Sequence, residues 1–502
     1  MSSIEHRCEW REKAEKLEAE VTALETQVGQ METQLERVGQ LEQTVASLQR
    51  HIFGKRSEKM PPVASELQKA GAITTDAEET LAKRRDAARK KRTLPSREIH
   101  HRVREEQKNC PKCGGREFTP LGDGKVTEVY ELIPARFERQ LHIQEKLRCR
   151  CGETILTADG APKVYDKARY GPGFLAHVVV SKCADSIPLY RQAKRYRREG
   201  VPIDRSTLVD LFHRTAELLS PLVARLLALV AEKEIVLADE TTLRVQAKEK
   251  TRIAWLWSFI ARDEFDKELV AYVFSKSRSG ETPARVLEGT IGKLVVDGYT
   301  GYNRVTLPGA RQRAGCLAHL RRKFFDARNF SPVAHRVLDL ILEIYKVERA
   351  ALDQEILGTP AHLAMRQVRS QQVMDELKAL LLAEQTKHLP KGPMGEAIGY
   401  ALKQWNALTL FLTDARLPID NNASERALRI AALGRKNFLF VGHNEAGENL
   451  AGLYSLIATC EANGVNPIEY LTDVLIRVQT HPASRIDELL PHRWHSSPPN
   501  TS

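Results

Sequence analysis

Ile235-Val236-Leu237-Ala238-Asp239-Glu240-Thr241-Thr242 sets an acid inside an apolar run, and its reading decides the fold. Aliphatic and β-branched residues at this density predict a buried strand. A carboxylate in such a strand is costly unless something pairs with it. A second apolar run, Leu294-Val295-Val296-Asp297-Gly298-Tyr299, also reaches an Asp. A third acid, Glu425, stands in Pro418-Ile419-Asp420-Asn421-Asn422-Ala423-Ser424-Glu425-Arg426-Ala427-Leu428-Arg429. Two of the three have ordinary explanations when taken alone. Asp297-Gly298 is a turn pair, and Asn422 to Glu425 fits a capping box with Glu425 reaching back to the helix start. Asp239 has the weakest ordinary explanation. Together, in a basic chain, two strand Asp residues and a helical Glu suggest a site that holds divalent metal against phosphate.

Outward from Asp239, strands are predicted over 234–246, 252–262 and 268–275, a meander. A helix over 281–288, strands over 292–297 and 311–316, and a helix over 317–328 complete an α/β sheet. Residues 333–415 read as almost entirely helical, and Glu425 comes only after them. Upstream, one helix is expected from Phe174 to about Ala184. A second runs from near Pro188 to Gly200, a natural stop. A third starts near Ser206-Thr207-Leu208. With the turn Val201-Pro202-Ile203-Asp204 before it, this resembles a helix-turn-helix, with an ordinary helical connector as the alternative. Helices dominate to about Val478, and the tail from His481 is rich in Pro, His and Ser.

Near the start, Leu17, Val21, Leu24, Val28, Met31, Leu35 and Val38 alternate steps of four and three, and Leu41, Val45, Leu48 and Ile52 continue after a slip of three. This is a coiled-coil seam with a stammer, which favours oligomerisation over a lone helix packed on its own chain. A polar, basic linker follows. Seven of the ten residues from Lys83 to Arg92 are Lys or Arg, a density that suits nucleic-acid contact or a solvated linker. Of eight Cys, four form two tight pairs, Cys110-Pro111-Lys112-Cys113 and Cys149-Arg150-Cys151. That is not a disulfide framework. It predicts one four-thiolate structural zinc site, with two reduced pairs as the alternative, in a reducing compartment.

At 502 residues the chain exceeds one ordinary core, so three or more domains are expected. Hydrophobic residues make up 42% and charged residues 28%, a globular balance. No apolar run reaches membrane-span length, and the amino terminus lacks an apolar signal core, so the expectation is a cytoplasmic protein with no membrane partner. The net charge of +11 points toward an anionic partner.

The chain resembles transposases of the insertion sequence 66 family, of the DDE class, over nearly its full length. The resemblance rests on Leu48-Gln49-Arg50-His51-Ile52-Phe53-Gly54-Lys55-Arg56-Ser57-Glu58-Lys59, the Cys pairs, Ala238-Asp239-Glu240-Thr241 and Asp297-Gly298-Tyr299. It continues through Gly315-Cys316-Leu317-Ala318-His319-Leu320-Arg321-Arg322-Lys323-Phe324-Phe325 and the stretch around Glu425 quoted above. Leu433-Gly434-Arg435-Lys436-Asn437 and Leu453-Tyr454-Ser455-Leu456-Ile457 through Asn463-Gly464-Val465-Asn466-Pro467 extend it. The resemblance implies an RNase H-like core with a helical insertion before the last acid, and it assigns the catalytic triad to Asp239, Asp297 and Glu425 with Mg²⁺ or Mn²⁺. One departure is the single residue between Cys149 and Cys151, where the family usually has two.

The expected architecture is multidomain, α+β/α: a coiled coil (8–53), a basic linker (54–104), a zinc-knuckle domain (105–165) and a helix-turn-helix-like domain (170–220). An RNase H-like catalytic core follows (232–332, completed by 416–445), interrupted by a helical insertion (333–415). A helical C-terminal region (446–480) and a disordered tail (481–502) close the chain. Zinc is expected on Cys110, Cys113, Cys149 and Cys151. Contacts to DNA are expected from Arg205, Ser206 and Thr207 at the start of the third helix, from Arg321, Arg322 and Lys323, and from Arg426, Arg429, Arg435 and Lys436. Arg429 has an alternative role, pairing with Glu425 across a helical turn. Cys316 and His319 have metal-ligand spacing, with a core Cys and a backbone-holding His as the alternative. Asp420 is a reserve metal ligand.

The expected function is cleavage at a mobile element's terminal inverted repeats and strand transfer into target DNA. The protein acts as a homo-oligomer on double-stranded DNA, nucleoid-associated when bound. Accessory proteins of the same element are suggested by the family. The rivals are an RNase H-like nuclease or resolvase without strand transfer and a non-catalytic DNA-binding regulator.

Overall fold

The computed structural model describes residues 16–24, 26–31, 63–69, 137–148, 155–158, 160, 163–165 and 168–496. Two units divide the chain: Met1–Leu67 together with His142–Ser502, and Gln68–Leu141. In the second unit the described residues are 68–69, which end the helix Val63–Lys69, and 137–141, which carry no regular structure. The four paired Cys, the run Lys83–Arg92 and the heptad positions from Leu35 to Ile52 lie outside the described residues.

In the first unit, residues 16–24 and 26–31 are helical, and Leu17, Val21, Leu24, Val28 and Met31 are each more than half exposed. A small antiparallel hairpin joins β1, Lys146–Arg148, to β2, Ile155–Thr157. Cys149 and Cys151 fall in the chain between these strands.

The larger sheet has five strands: β3 (Ile235–Gln246), β4 (Thr251–Arg262), β5 (Glu268–Ser275), β6 (Lys293–Val295) and β7 (Gln312–Ala314). Their order is β5-β4-β3-β6-β7. β3, β4 and β5 form an antiparallel meander, while β6 runs parallel to β3 and β7 parallel to β6. All five strands fall where the apolar runs place them. β4 is almost wholly buried from Leu256 to Ala261, as expected of a strand covered on both faces.

The helices Pro172–Cys183 and Leu189–Arg198 match the expected first pair. The third, Arg205–Glu232, differs: it is 28 residues long rather than short. Its apolar spacing continues through Leu208, Leu211, Phe212, Leu219, Leu222, Leu226 and Leu229, all buried. That stripe packs the helix along β4 and β5, so it belongs to the core as much as to any DNA-reading surface.

The outer edge of β5 is sealed by side chains. Ser455, Thr459 and Asn463, four residues apart, stand on one face of the helix Asn444–Ala462 or at its cap. Ser455 Oγ accepts from the Tyr272 amide at 2.8 Å, and Thr459 Oγ1 accepts from the Val270 amide and donates to the Val270 carbonyl, both at 3.1 Å. Asn463 Nδ2 donates to the Glu268 carbonyl at 2.7 Å. Strand alternation presents every second residue's backbone outward, and one helical face meets each in turn.

Between the helix Leu317–Ala327 and Asn421 lie the helices Pro332–Asp353, Pro360–Met365, Gln371–Glu384, Pro393–Lys403 and Trp405–Leu408. A buried network ties them together. Arg366 donates to both carboxylate oxygens of Glu348, at 2.8 and 2.6 Å, and to the carbonyls of Phe411 and Asp414. Among the described residues no helix is long and apolar enough to cross a membrane.

Candidate active site

The parallel pairing of β3 and β6 sets the first two acids side by side. Ile235 faces Lys293, Val236 faces Leu294 and Leu237 faces Val295, an offset of 58 residues (293 minus 235). Asp297 lies two residues beyond the end of β6, where the same offset would set it opposite Asp239, and its charge reaches the Asp239 carboxyl. At that offset both share the face of Leu237 and Val295, because side chains alternate along a strand.

The neighbouring loop is built tightly around Asp297. Its Oδ1 accepts from the Tyr299 amide at 2.9 Å. A Cβ on Gly298 would come within 2.7 Å of the Tyr400 ring, so only glycine fits there.

Glu425 is brought in by stitches on the segment before it. The Leu317 amide donates to the Ile419 carbonyl at 2.9 Å. Asn421, fully buried, donates its amide to Cys316 Sγ at 3.2 Å and its Nδ2 to the Ala238 carbonyl at 2.8 Å. The carboxylate at Glu425 is thus tethered to the residue preceding Asp239. The capping box is absent: Asn421 is the N-cap, with no side-chain cap bond, and Glu425 is exposed on the short helix Asn422–Ala427. A break at Leu428 separates this from the next helix, Arg429–Phe438. Arg429 is exposed and makes no ion pair with Glu425.

The electrostatics reflect the convergence. Burial pushes the Asp239 carboxyl up to about 7, and the nearby charges of Glu240, Asp297 and Glu425 add to it, against an opposing hydrogen bond from the Glu240 amide at 2.9 Å. His319 Nδ1 lies 4.0 Å from Glu425 Oε1 and is buried without a hydrogen-bond partner. Among the described residues no group of three or more His, Cys, Asp or Glu is arranged to hold one ion. The acids therefore feel one another's charge without standing in ligating array.

Other expectations resolve differently. Cys316 is a core residue at the N-cap of Leu317–Ala327, its thiol pushed up to about 12 by burial. It supports Asn421, and His319 alone of that pair faces the acids. Asp420 is a turn former: its oxygens accept from the Asn422 amide at 3.1 Å, Asn422 Nδ2 at 2.6 Å and Tyr345 Oη at 2.9 Å.

The expected DNA contacts divide in the same way. Arg321 is buried and its guanidinium pairs with Glu66, so the expected phosphate contact there is corrected. Arg435 is half-buried and donates to Thr242 at 2.6 Å, which fastens its helix to β3. Arg205, Ser206, Arg322, Lys323, Arg426, Arg429 and Lys436 are exposed, and Thr207 is half-buried.

Sequence reasoning missed Asn421 and Glu240 as parts of the site. Glu240, next to Asp239 and so on the opposite face, accepts from Arg278 Nε at 2.8 Å and Tyr302 Oη at 2.7 Å. The Arg278 guanidinium in turn stacks 4.1 Å from the Tyr299 ring centroid. A second acid directly after Asp239 was the available signal for Glu240.

Comparisons with known proteins place the chain in a family. Residues 167–449 match the family described as transposase IS66, and residues 455–492 match the IS66 C-terminal element. Residues 107–152, which include all four paired Cys, match the zinc-finger binding domain of transposase IS66. Residues 40–99 match a domain described as transposase C of IS166 homeodomain.

Three relatives come from Sinorhizobium fredii (strain NBRC 101917 / NGR234). Uncharacterized protein y4hP is 31% identical, over 90% of this chain and 88% of its own. Uncharacterized protein y4jD is 33% identical, over 93% and 97%. Uncharacterized protein y4qI is 34% identical, over 92% and 90%. These matches support a transposase role, DNA as partner and structural zinc, and the chain belongs to the IS66 transposase family.

Proposed function

We propose that the protein cuts DNA at the ends of a mobile element and joins the freed ends to target DNA, with Asp239, Asp297 and Glu425 as its catalytic carboxylates. The observation that carries this is that the charges of Asp297 and Glu425 both reach the Asp239 carboxyl, with the Glu425 segment tied to Ala238 through Asn421. The strand order, a meander followed by two parallel strands, supports an RNase H-like core.

The residues present suit a hard divalent cation such as Mg²⁺ or Mn²⁺. They offer carboxylate oxygens, and burial with the surrounding negative charge raises the Asp239 carboxyl, a strain that a bound cation would relieve. When bound, such ions lower the barrier by polarising the attacking oxygen and stabilising the leaving one. Asp239 lies on β3, and Asp297 lies two residues beyond the end of β6. Glu425, exposed on a six-residue helix, is the third carboxylate. His319, beside Glu425, is placed to hold a phosphate oxygen, and Arg322, Lys323, Arg426 and Arg429 to neutralise the flanking backbone. Water attacks the scissile phosphorus and breaks its bond to the 3′-oxygen, which leaves as a 3′-hydroxyl; that hydroxyl then attacks a target phosphorus and releases a 3′-hydroxyl of the target strand.

The four paired Cys hold zinc in this reading, and the open apolar stripe Leu17–Met31 forms a coiled coil that pairs subunits.

The test uses the full chain, Mg²⁺ and a linear duplex carrying the repeats that flank the reading frame. Joined products are expected from the wild type, and Glu425→Gln should reduce them by at least about a thousandfold while duplex binding persists. Cleavage without joining establishes a nuclease instead, and a Glu425→Gln protein with full activity overturns the triad. The same preparation should carry about one zinc per chain.

A further inference from the structure

A cavity of about 400 Å³ lies between the helices Pro172–Cys183 and Arg205–Glu232 and the chain after Phe438. No part of the carboxylate site lines it. Its walls are aromatic, from Phe212, Phe438, Phe440 and His443, and two cations, Lys182 and Arg205, face it. Gln246 and Asn437 add amide groups, and no lining residue is acidic. Lys182 has no carboxylate partner among the described residues; its ammonium rests 4.0 Å from the centroid of the Phe438 ring. Burial and the nearby Arg205 charge lower its proton affinity. An anion entering here meets Lys182 and Arg205 and no lining carboxylate.

The backbone at the mouth is strained. Leu439 has φ 61° and ψ −46°, and the Phe440 amide donates to the Phe438 carbonyl at 2.6 Å. This is the rarer γ-turn, which a non-glycine residue adopts only when its surroundings enforce it. Val441 enforces it from the far side, through backbone bonds to Arg244 and Gln246 on β3 at 2.9 and 2.8 Å. The turn leaves Leu439 and Phe440 exposed at the rim.

We propose that this cavity takes one unpaired nucleotide of the DNA substrate, its base against the aromatic wall and its phosphate between Lys182 and Arg205. The volume suits one base rather than a base pair, and the amides of Gln246 and Asn437 can meet a base edge. Stacking on aromatic side chains is favourable for any base. The site lies seven residues along β3 from Asp239, roughly 23 Å at about 3.3 Å per residue. That spans about seven nucleotide steps of one strand, so one DNA molecule reaches both sites. The inference rests on the reading of DNA as substrate.

The test measures binding of the full-length protein to two fluorescent duplexes of equal length and otherwise identical sequence, one perfectly paired and one with a single unpaired thymine. The bulged duplex should bind about tenfold more tightly, and Phe438→Ala should bring the ratio of affinities close to one. Lys182→Gln should lower the same ratio, and it decides the matter if Phe438→Ala does not fold. Equal binding of both duplexes by the wild type, or a ratio unchanged in the folded variants, overturns the pocket while leaving DNA binding intact. Failure to bind either duplex refutes the DNA reading itself.

Discussion

A carboxyl on a central strand, flanked by other acids, works against the fold that holds it. Asp239 has an ordinary value of 3.8 and is raised to about 7. Because the folded value lies above the unfolded one, its contribution to stability is full below about pH 4 and is lost as the pH rises through about 7. The rise corresponds to at most about 4 kcal/mol of disfavoured charge. Metal-free Asp239→Asn protein should therefore melt higher than the wild type at pH 8, by several degrees, with the gap closing toward pH 4. Thermal melts in chelator at both pH values check this; a gap that does not change with pH would refute the assignment.

Asn421 shows the limit of reading at this scale. Its type and its place beside Glu425 were visible in the sequence, but its two partners stand 183 and 105 residues away. No local pattern announces a bond of that span. The adjacency of Asp239 and Asp297 was hidden for a related reason. The run of each strand was legible from hydrophobicity, whereas the pairing register that aligns them is set by tertiary packing.

Elements were read best where their period was unambiguous. The five strands of the larger sheet and the helices beside them lie within a few residues of the expected spans, because apolar runs of strand length bounded by polar turns leave few alternatives. The helix Arg205–Glu232 runs past the compact DNA-reading motif that the turn before it predicts, because its apolar stripe continues into the core. The break at Leu428 was likewise unmarked by Gly or Pro.

The seal on β5 is an element-scale device, and it makes a measurable claim. Thr459 is fully buried and serves both backbone groups of Val270. Thr459→Val keeps the volume but leaves a buried amide without its partner, so it should cost about 1–3 kcal/mol. A lower urea midpoint with an unchanged slope is the expected result, and no change in midpoint would show that the edge is satisfied in another way.

At the scale of the whole molecule, the stripe Leu17, Val21, Leu24, Val28 and Met31 is exposed along the described helix. Exposed apolar residues at heptad spacing find partners, and bringing two DNA ends together requires at least two subunits. A chain lacking residues 1–60 should give a smaller mass by light scattering than the full chain. An unchanged mass would assign the contact elsewhere.

The proposed assembly at DNA ends would concentrate several copies in a small volume, where any unpaired strand invites a neighbour's. Here both flanks of the larger sheet are closed to such recruitment. One is capped by hydroxyl and amide side chains, and the other, only three residues long, is flanked by the helix Trp405–Leu408. Local crowding can therefore rise without templating aggregation through this sheet, and under the proposed pairing of amino-terminal helices the larger sheet stays a closed unit.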